Sequence, residues 1–446
     1  MSASRPDPDS LNLRTRLSST ISRLQTNRFL RRLFTLSAGT AIGQALMVAV
    51  TPFLTRLFTP AEFGSFAVFS ALFGMFSGIM CLRYELAVPL AASEEETAAV
   101  ARLCGFAAFA MTALLFLFVW LGGERLALMV EAPELARLLW LMPPALLCWG
   151  LALPLNFWSI RLGTFRVNAL NRILQYAAQA TSQLAFGIAG TGSPGLVLGF
   201  ALGHLVKIGH FLSALSSGER TLLRQSAWSE ARQAAVRYRR FPAFSILSTL
   251  FQSSSQLLPA MLVAAIYGPV AAGWFALSQR IMGFPVMMIG DAAGNVFLNE
   301  IAKLKGQALY AMFRKTALRF FFVALSIMLP IMIVAPHVFA LVFGEPWREA
   351  GTIVQVLAPL YVMRFTAVSV SQTLNVLERQ DLHLVSSLLN FLALLLSFGS
   401  GWYFGLGENS TFLLYSLGSM SAFAAYLGMA WWMARRHALA AGAPSA

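Results

Sequence analysis

Long apolar stretches, each closed by a short polar or basic segment, fill most of the 446-residue chain. Read as helices, they predict about twelve membrane spans, at roughly 34–56, 63–88, 98–121, 138–160, 168–189, 195–215, 243–267, 271–297, 317–343, 351–376, 382–404 and 410–434. The spans fall into two sets of six. Residues 57–67 read LFTPAEFGSFA and residues 266–276 read IYGPVAAGWFA, so Pro60, Gly64, Phe66 and Ala67 return as Pro269, Gly273, Phe275 and Ala276 at a constant offset of 209. Each copy joins the first and second spans of its set. Six spans per set return the chain to the same side. That predicts an all-α integral membrane protein of two six-helix lobes, related by a pseudo-two-fold axis along the membrane normal. The expected organisation is a basic cytoplasmic tail (1–33), an N-terminal lobe (34–215), a cytoplasmic linker (216–242), a C-terminal lobe (243–434) and a second cytoplasmic tail (435–446).

Composition agrees with lipid as the main solvent. The chain is 57% hydrophobic and only 12% charged, with a mean hydropathy of +0.67, whereas a soluble domain carries about 25% charged residues. The net charge of +14 would suit nucleic acid, but its placement argues for a membrane. Of the 33 Lys and Arg, 25 fall on one side. Seven lie in the tail before residue 34, six in the linker, and five (Lys303, Lys305, Arg314, Lys315, Arg319) between spans eight and nine. The loops of the other side hold only Arg56, Arg125, Arg137 and Arg348. This asymmetry places both termini in the cytoplasm. Residues 10–33 carry Leu13, Leu17, Ile21 and Leu24 near helical spacing, which suits a helix on the inner leaflet as well as an unstructured basic tail. The first apolar stretch is long enough to span, so it does not read as a signal peptide. Cys81, Cys104 and Cys148 match no disulfide or metal spacing, and no cofactor or metal site is expected.

Polar residues inside the spans mark faces turned away from lipid. Ser37, Thr40, Gln44, Thr51 and Thr55 form one stripe on span one. Span seven carries Ser245, Ser248, Thr249, Gln252, Ser253, Ser255 and Gln256, with Thr249 and Ser253 at the repeat positions of Thr40 and Gln44. Both helices are expected to line a central hydrated cavity, with small-polar helix packing as the competing reading.

A charge at the bilayer centre costs about 2.5–3.5 kcal/mol on insertion scales, so charges retained there need a reason. Arg280, Arg364 and Lys207 are expected near mid-membrane, and Arg83, Glu85 and Asp291 towards the cytoplasm. On a regular helix Arg280 and Asp291 would share a stripe, about 20° apart around the axis and about 16 Å along it. Arg364, Ser371 and Asn375 would share another, making Ser371 and Asn375 further cavity-lining candidates. Arg280 and Arg364 form the expected cationic site, because guanidinium groups grip phosphate oxygens in pairs. Lys207, flanked by His204 and His210, and Arg83 are further substrate-binding candidates. Glu85 and Asp291 are candidates for a gate or for ion coupling. Arg83 and Glu85, two residues apart on a regular helix, would point about 200° away from one another and would not pair. No Walker-type loop appears, so ATP is not the direct driver. The close glycines Gly39 and Gly43 signal helix packing, and Glu94, Glu95 and Glu96 read as a helix start.

Three segments are familiar together. The run LSAGTAIGQALMVAVTPFLTRLFTPAEFGSFAVF, the segment LRYELAVPLAASEEE at 82–96 and the segment ALSQRIMGFPVMMIGDAAGNVF at 276–297 resemble bacterial polysaccharide-biosynthesis membrane proteins, the O-antigen flippase group. The wider relatives are the multidrug/oligosaccharidyl-lipid/polysaccharide exporter superfamily. The resemblance implies twelve helices in two lobes around a central cavity, in a bacterial inner membrane. It implies a flippase, not an enzyme, which turns an undecaprenyl-diphosphate-linked oligosaccharide from the cytoplasmic to the periplasmic leaflet for O-antigen, lipopolysaccharide or exopolysaccharide assembly. A polysaccharide polymerase and a chain-length protein are the partners it suggests. Arg83 and Glu85 belong to the second-span signature and Arg280 to the eighth-span signature; Arg364 and Lys207 match no motif of the group. Asp291 and Asn295 depart from the pattern, where small residues and a Gln are expected. A multidrug cation antiporter of the same superfamily and a membrane glycosyltransferase or O-antigen ligase are the competing readings. The antiporter requires an acidic cavity, and the ligase a large outer loop.

Overall fold

The computed structural model describes residues 28–441 except 226 and 378; the side chains of Gln252, Asp291, Ser248, Ser255 and Asn295 lie outside the described residues, as does most of the basic tail. The described residues form helices and turns with no strand. Half one contains α1 (Arg28–Leu57), α2 (Pro60–Ser77), α3 (Glu94–Met129), α4 (Met142–Arg161), α5 (Phe165–Ile188) and α6 (Ser193–Ala214). Two short helices, α7 (Ser217–Gln225) and α8 (Trp228–Arg237), lead into half two. That half contains α9 (Arg240–Pro285), α10 (Asp291–Ile301), α11 (Gly306–Phe343), α12 (Arg348–Ser369), α13 (Gln380–Tyr403) and α14 (Glu408–Ala441).

Nine helical stretches among the described residues are long and apolar enough to cross a membrane, against twelve expected, and each difference has a physical cause. Gln256–Gly290 is continuous by hydrogen bonding, yet Gly268 inside α9 sits at φ 81°, ψ 177°. Only glycine occupies that region freely, and the chain turns there. Two expected spans therefore share one element. α2 is only 18 residues long. α5 carries Asn168, Asn171, Gln175, Gln179 and Gln183 along one buried face, which lowers its apolar content.

Local signals explain where the helices begin. Thr59 caps α2: its hydroxyl accepts the Glu62 N–H (3.4 Å), while Glu62 Oε2 accepts the Thr59 N–H (2.7 Å). Pro60 fills the first helical position, where its missing N–H costs nothing. Ser93 caps α3 ahead of the three glutamates, whose charges favour the positive end of the helix.

The repeated sequence forms the centre of the molecule. Gly64 of α2 lies so close to Pro269 that an added Cβ would overlap the Pro269 carbonyl, 2.6 Å from its carbon. Gly273 of α9 lies equally close to Pro60, with an added Cβ 2.8 Å from the Pro60 carbonyl carbon. Residue i touches j′ and j touches i′, which is what a two-fold axis demands. The axis therefore passes between these two helix starts. Beyond this crossing α2 continues along the first arm of α9. Positions 74 and 78 meet Leu257 and Thr249, so α2 and this first arm run antiparallel. Within half one, Gly39 and Gly43 let α1 approach Ala169 and Tyr176 of α5, the packing expected of them.

The linker is docked rather than loose. Arg237 pairs with Glu96 of α3 at 2.8 Å, Tyr238 donates to the same carboxylate at 3.1 Å, and Tyr84 donates to the Ala235 carbonyl at 3.4 Å. Burial, and after it the bond to Glu96, raises the Tyr238 phenol above its ordinary value, keeping it a donor. The linker therefore belongs with the basic end of half one.

Gly64→Ala is expected to destabilise the folded protein by about 3 kcal/mol, the upper end for overpacking, because the colliding atom is backbone. Gly209→Ala, where an added Cβ meets nothing within 4 Å, is the control. Thermal melts of the two purified variants check this, and equal melting temperatures would refute the crossing.

Candidate functional site

A cavity of about 240 Å³ opens on the repeat axis between α2 and the two arms of α9. Its walls obey the 209-residue offset: Phe66 faces Phe275, Ala67 faces Ala276, Ser70 stands where Gln279 stands, and Ala71 where Arg280 stands. The aromatic and alanine pairs are alike in both halves, but the polar pairs are not. Half one offers small groups, and half two offers an amide and a guanidinium, joined by Gln256 from the first arm of α9. The volume is below the 300–1,000 Å³ of a usual ligand pocket. It suits one charged group and its surroundings rather than a whole lipid-linked sugar.

Arg280 carries the only formal charge among the lining residues. It sits eleven residues past Pro269, hence about 17 Å along the helix from the far end. Its guanidinium reaches Thr51 Oγ1 of α1 at 3.5 Å, and that hydroxyl already donates to the Met47 carbonyl at 2.6 Å. No described carboxylate forms an ion pair with it. The Ser70 hydroxyl is buried with no partner among the described groups. Gln279 Oε1 accepts the Tyr361 hydroxyl at 3.2 Å, which frees its amide hydrogens. Arg364 does not line the cavity. It lies behind that bond, its guanidinium 5.7 Å from the Tyr361 ring centroid.

The remaining expected site residues separate into groups. Gln256 lines the cavity. Thr249 and Ser253 pack against Gly78 at the basic end of α2, in the seam below it. Thr40 and Gln44 are half-buried on α1 and are not among the lining residues. Ser371 and Asn375 do not share a face with Arg364, because α12 ends at Ser369 and a separate short helix begins at Gln372. The Ser371 carbonyl accepts Tyr426, and exposed Asn375 donates to Gln372. Between Arg280 and Asp291 a π-helical turn spans Val286–Gly290, directly after Pro285. A π turn advances each residue by less than the α-helical 100°, so the eleven-residue spacing no longer returns to one face. Lys207 is buried inside half one, its ammonium 3.7 Å from the Trp149 ring centroid.

Arg83 and Glu85 do pair, at 3.1 Å, contrary to the regular-helix expectation. α2 ends at Ser77, and Leu82 (φ 51°) and Arg83 (φ 66°) adopt left-handed backbone, turning both side chains the same way. The Glu85 side chain is 1% exposed, and among the described residues its Oε2 has no partner and Arg83 Nε is also unpartnered. Two non-glycine residues in left-handed backbone therefore stand beside a partly satisfied ion pair, and the turn stores strain.

Two features lie outside the expected site residues. Trp347, fully buried, seals the far end: its indole donates to the Thr55 carbonyl of α1 at 2.9 Å and its ring meets Phe63 edge-on at 5.0 Å. Trp274 holds this loop through the Pro346 carbonyl at 2.8 Å. A lone Trp in a short loop announces nothing in sequence. The polar stripe of α5 was visible as Asn-x2-Asn-x3-Gln-x3-Gln-x3-Gln. Asn171 holds the Lys207 carbonyl at 2.8 Å and Gln183 the Leu196 carbonyl at 2.8 Å, opposite Gly199 and Gly203 of α6.

Comparison of the fold with solved structures identifies its class. A multidrug resistance MATE family transporter of the MOP superfamily, in an inward-facing conformation, superposes with a TM-score of 0.66 at 15% identity, covering 93% of this chain and 100% of that one. The lipid II flippase MurJ, in an inward closed conformation, gives 0.66 at 11% identity, covering 91% and 90%. A eukaryotic MATE transporter gives 0.58 at 15% identity, covering 93% and 100%. The chain shares the fold of these structures. The family description "Polysaccharide biosynthesis protein" matches residues 53–352, and the chain belongs to that family. A search of curated protein sequences gives no match.

Trp347→Ala removes a hydrogen bond and an aromatic pair, each worth about 1 kcal/mol. It is expected to shift the lobes towards far-end opening by about thirtyfold. Labelling of Ala67→Cys, a cavity-lining position outside the seal, by an impermeant maleimide measures this, and an unchanged labelling rate would show that the seal lies elsewhere. At the other end, Arg83→Ala strands a buried carboxylate and is expected to cost about 3 kcal/mol. Glu85→Gln, which leaves a quarter-exposed arginine free to reach water, is expected to cost clearly less; melts of both variants check the order.

Proposed function

We propose that this membrane flippase carries an undecaprenyl-diphosphate-linked oligosaccharide repeat unit from the cytoplasmic to the periplasmic leaflet of a bacterial inner membrane. The observation that carries the reading is Arg280. A guanidinium in the inter-lobe cavity, without a described acid to neutralise it, retains its full attraction for a phosphate. Membership of the polysaccharide-biosynthesis family supports the sugar. The far-end seal and the superposition on inward-facing and inward-closed relatives suit a chain waiting for cargo from the cytoplasmic leaflet.

In this reading Arg280 takes one phosphate oxygen pair, with the Gln279 amide and Ser70 hydroxyl beside it. Arg364 adds field from behind Tyr361 and reaches the diphosphate as the lobes move. The small cavity grips only the phosphate end. The sugar extends towards the basic end, and the polyprenyl tail stays in lipid. The lobes then rock about the α2–α9 crossing. Trp347 leaves Thr55, and the Arg83–Glu85 turn closes the cytoplasmic side. No covalent bond changes. Either an ion gradient acting at Glu85 or Asp291, or removal of the product by a polymerase, supplies the direction. A multidrug antiporter with cationic cargo is disfavoured by the same guanidinium.

Arg280→Ala and Arg364→Ala in the chromosomal copy are expected to abolish surface polysaccharide at unchanged protein level, with Arg280→Lys retaining part of it. Mass spectrometry of a deletion strain is expected to show accumulating lipid-linked intermediates. Normal polysaccharide in both alanine variants would end the cationic-site reading.

A further inference from the structure

The basic ends of α11 and α14 pack side by side, antiparallel, and carry chemistry that the central cavity does not use. The indole of Trp431 on α14 donates to the Tyr310 hydroxyl on α11 at 3.2 Å. His437, further along α14, accepts the Gly306 N–H at 3.3 Å, so the two helices are fixed against each other here. Arg435 stacks over Trp431 with 5.2 Å from guanidinium carbon to ring centroid, and Arg436 over Trp432 with 5.3 Å. Both indoles are exposed, at 38% and 50%. Arg314, Lys315 and Arg319 are exposed on α11.

Neither α11 nor the basic end of α14 contains an Asp or Glu. The carboxylate of Asp381, at the start of α13, is already taken by Arg379 at 2.6 Å. None of the five cations forms an ion pair among the described residues. In a helix each Cα–Cβ bond leans towards its own N-terminus. Because the helices are antiparallel, Arg314, one turn beyond Tyr310, and Arg435, one turn beyond Trp431, lean towards the same Tyr310–Trp431 contact. Two guanidiniums thus bracket an aromatic pair. Interfacial aromatics sit at headgroup depth, guanidiniums bind phosphate oxygens in pairs, and juxtamembrane clusters of this size attract anionic lipid.

We propose that the groove between α11 and α14 at the basic end is a binding site for the phosphate headgroup of an anionic bilayer phospholipid, held by Arg314 and Arg435 across the Tyr310–Trp431 contact. Arg436, Lys315 and Arg319 extend the field around it. The site lies on the rim of half two rather than in the inter-lobe cavity, and its occupant is a resident lipid rather than cargo. It ties the C-terminal helix of the moving lobe to the membrane surface.

The test uses the full chain in nanodiscs of phosphatidylcholine with increasing phosphatidylglycerol, reading retained lipid by native mass spectrometry and stability by thermal melting. Wild type is expected to retain phosphatidylglycerol in preference to phosphatidylcholine and to melt higher as its fraction rises. Each surface cation is worth about fivefold in attraction for an anionic membrane, so Arg314→Gln with Arg435→Gln is expected to lower the preference about twenty-five-fold. Melting in pure phosphatidylcholine shows whether this double variant is folded. If it is not, Arg435→Gln alone carries the comparison at about fivefold. An unchanged preference in the folded variant overturns the site. Preferential capture of added polyprenyl phosphate over phosphatidylglycerol, lost in the same variant, also overturns it, because the groove would then be a cargo station. Such a result leaves the cavity reading intact, and that reading fails separately in the Arg280→Ala and Arg364→Ala polysaccharide assay.

Discussion

The closest constraint in the molecule is the crossing of two backbones, Gly64 against Pro269 and Gly273 against Pro60. Lipid gives helices no hydrophobic reason to associate, so their adhesion comes from van der Waals contact, which small residues maximise. Two glycines at equivalent positions let the halves touch main chain to main chain. The proline beside each contact starts its helix there, so the crossing point is also where two helices begin. A contact without side chains has few rotamers to lose and no bulky knob to dislodge. It can tilt by small angles while remaining closed. Everything of functional interest is arranged around it: the cavity begins one turn along, with Phe66, Ala67 and their repeats, and the Trp347 seal sits beside it.

Symmetry brings the walls together, and departure from symmetry makes them useful. An even duplication would have placed Arg at both 71 and 280, or at neither. Two facing guanidiniums would repel in a low dielectric, and two alanines would grip nothing. With Ala71 opposite Arg280, one cation is held at a cost of a few kcal/mol. The cost is offset in part by the Thr51 hydroxyl. The Thr51 contact joins the lobes, because Thr51 belongs to half one and Arg280 to half two. An anion arriving at Arg280 competes for the same hydrogen atoms. In the proposed cycle, an anion bound there weakens a contact between the lobes.

Much of this was legible in the residue pattern. The offset of 209 announced the two-fold relation of the halves, and the retained charge at Arg280 marked a wall of the cavity. Several misreadings had one common cause, the assumption of unbroken α-helix. Arg83 and Glu85 looked incapable of pairing because the periodicity of 3.6 was carried through a turn with left-handed backbone at Leu82 and Arg83. Arg364, Ser371 and Asn375 looked like one stripe because the break after Ser369 left no Gly or Pro to announce it. The π turn after Pro285 did have its signal, in the proline itself. Trp347 and the Tyr361–Gln279 bond join residues from distant segments, and no local pattern encodes such pairs. Gln279 and Ser70 were hidden for a different reason: single polar residues in apolar helices read as ordinary packing until a cavity is seen beside them.

The energies of the two ends set the conditions for movement. A ligand shifts a two-state equilibrium only by the difference in its affinity for the two states. Towards the far end the lobes are joined by one indole hydrogen bond and one aromatic pair at Trp347, and deeper in by the Arg280–Thr51 contact, each worth about 1 kcal/mol or less. Together they come to about 3 kcal/mol, which a single charge-assisted phosphate contact of about 1.5–3 kcal/mol can nearly match. Had the far end been closed by a broad interlocked core, cargo could not open it. Had it been closed by nothing, the cavity would leak. The glycine crossing resolves this tension. It supplies close main-chain adhesion between the lobes, so the seal itself can stay weak, as the proposed cycle requires.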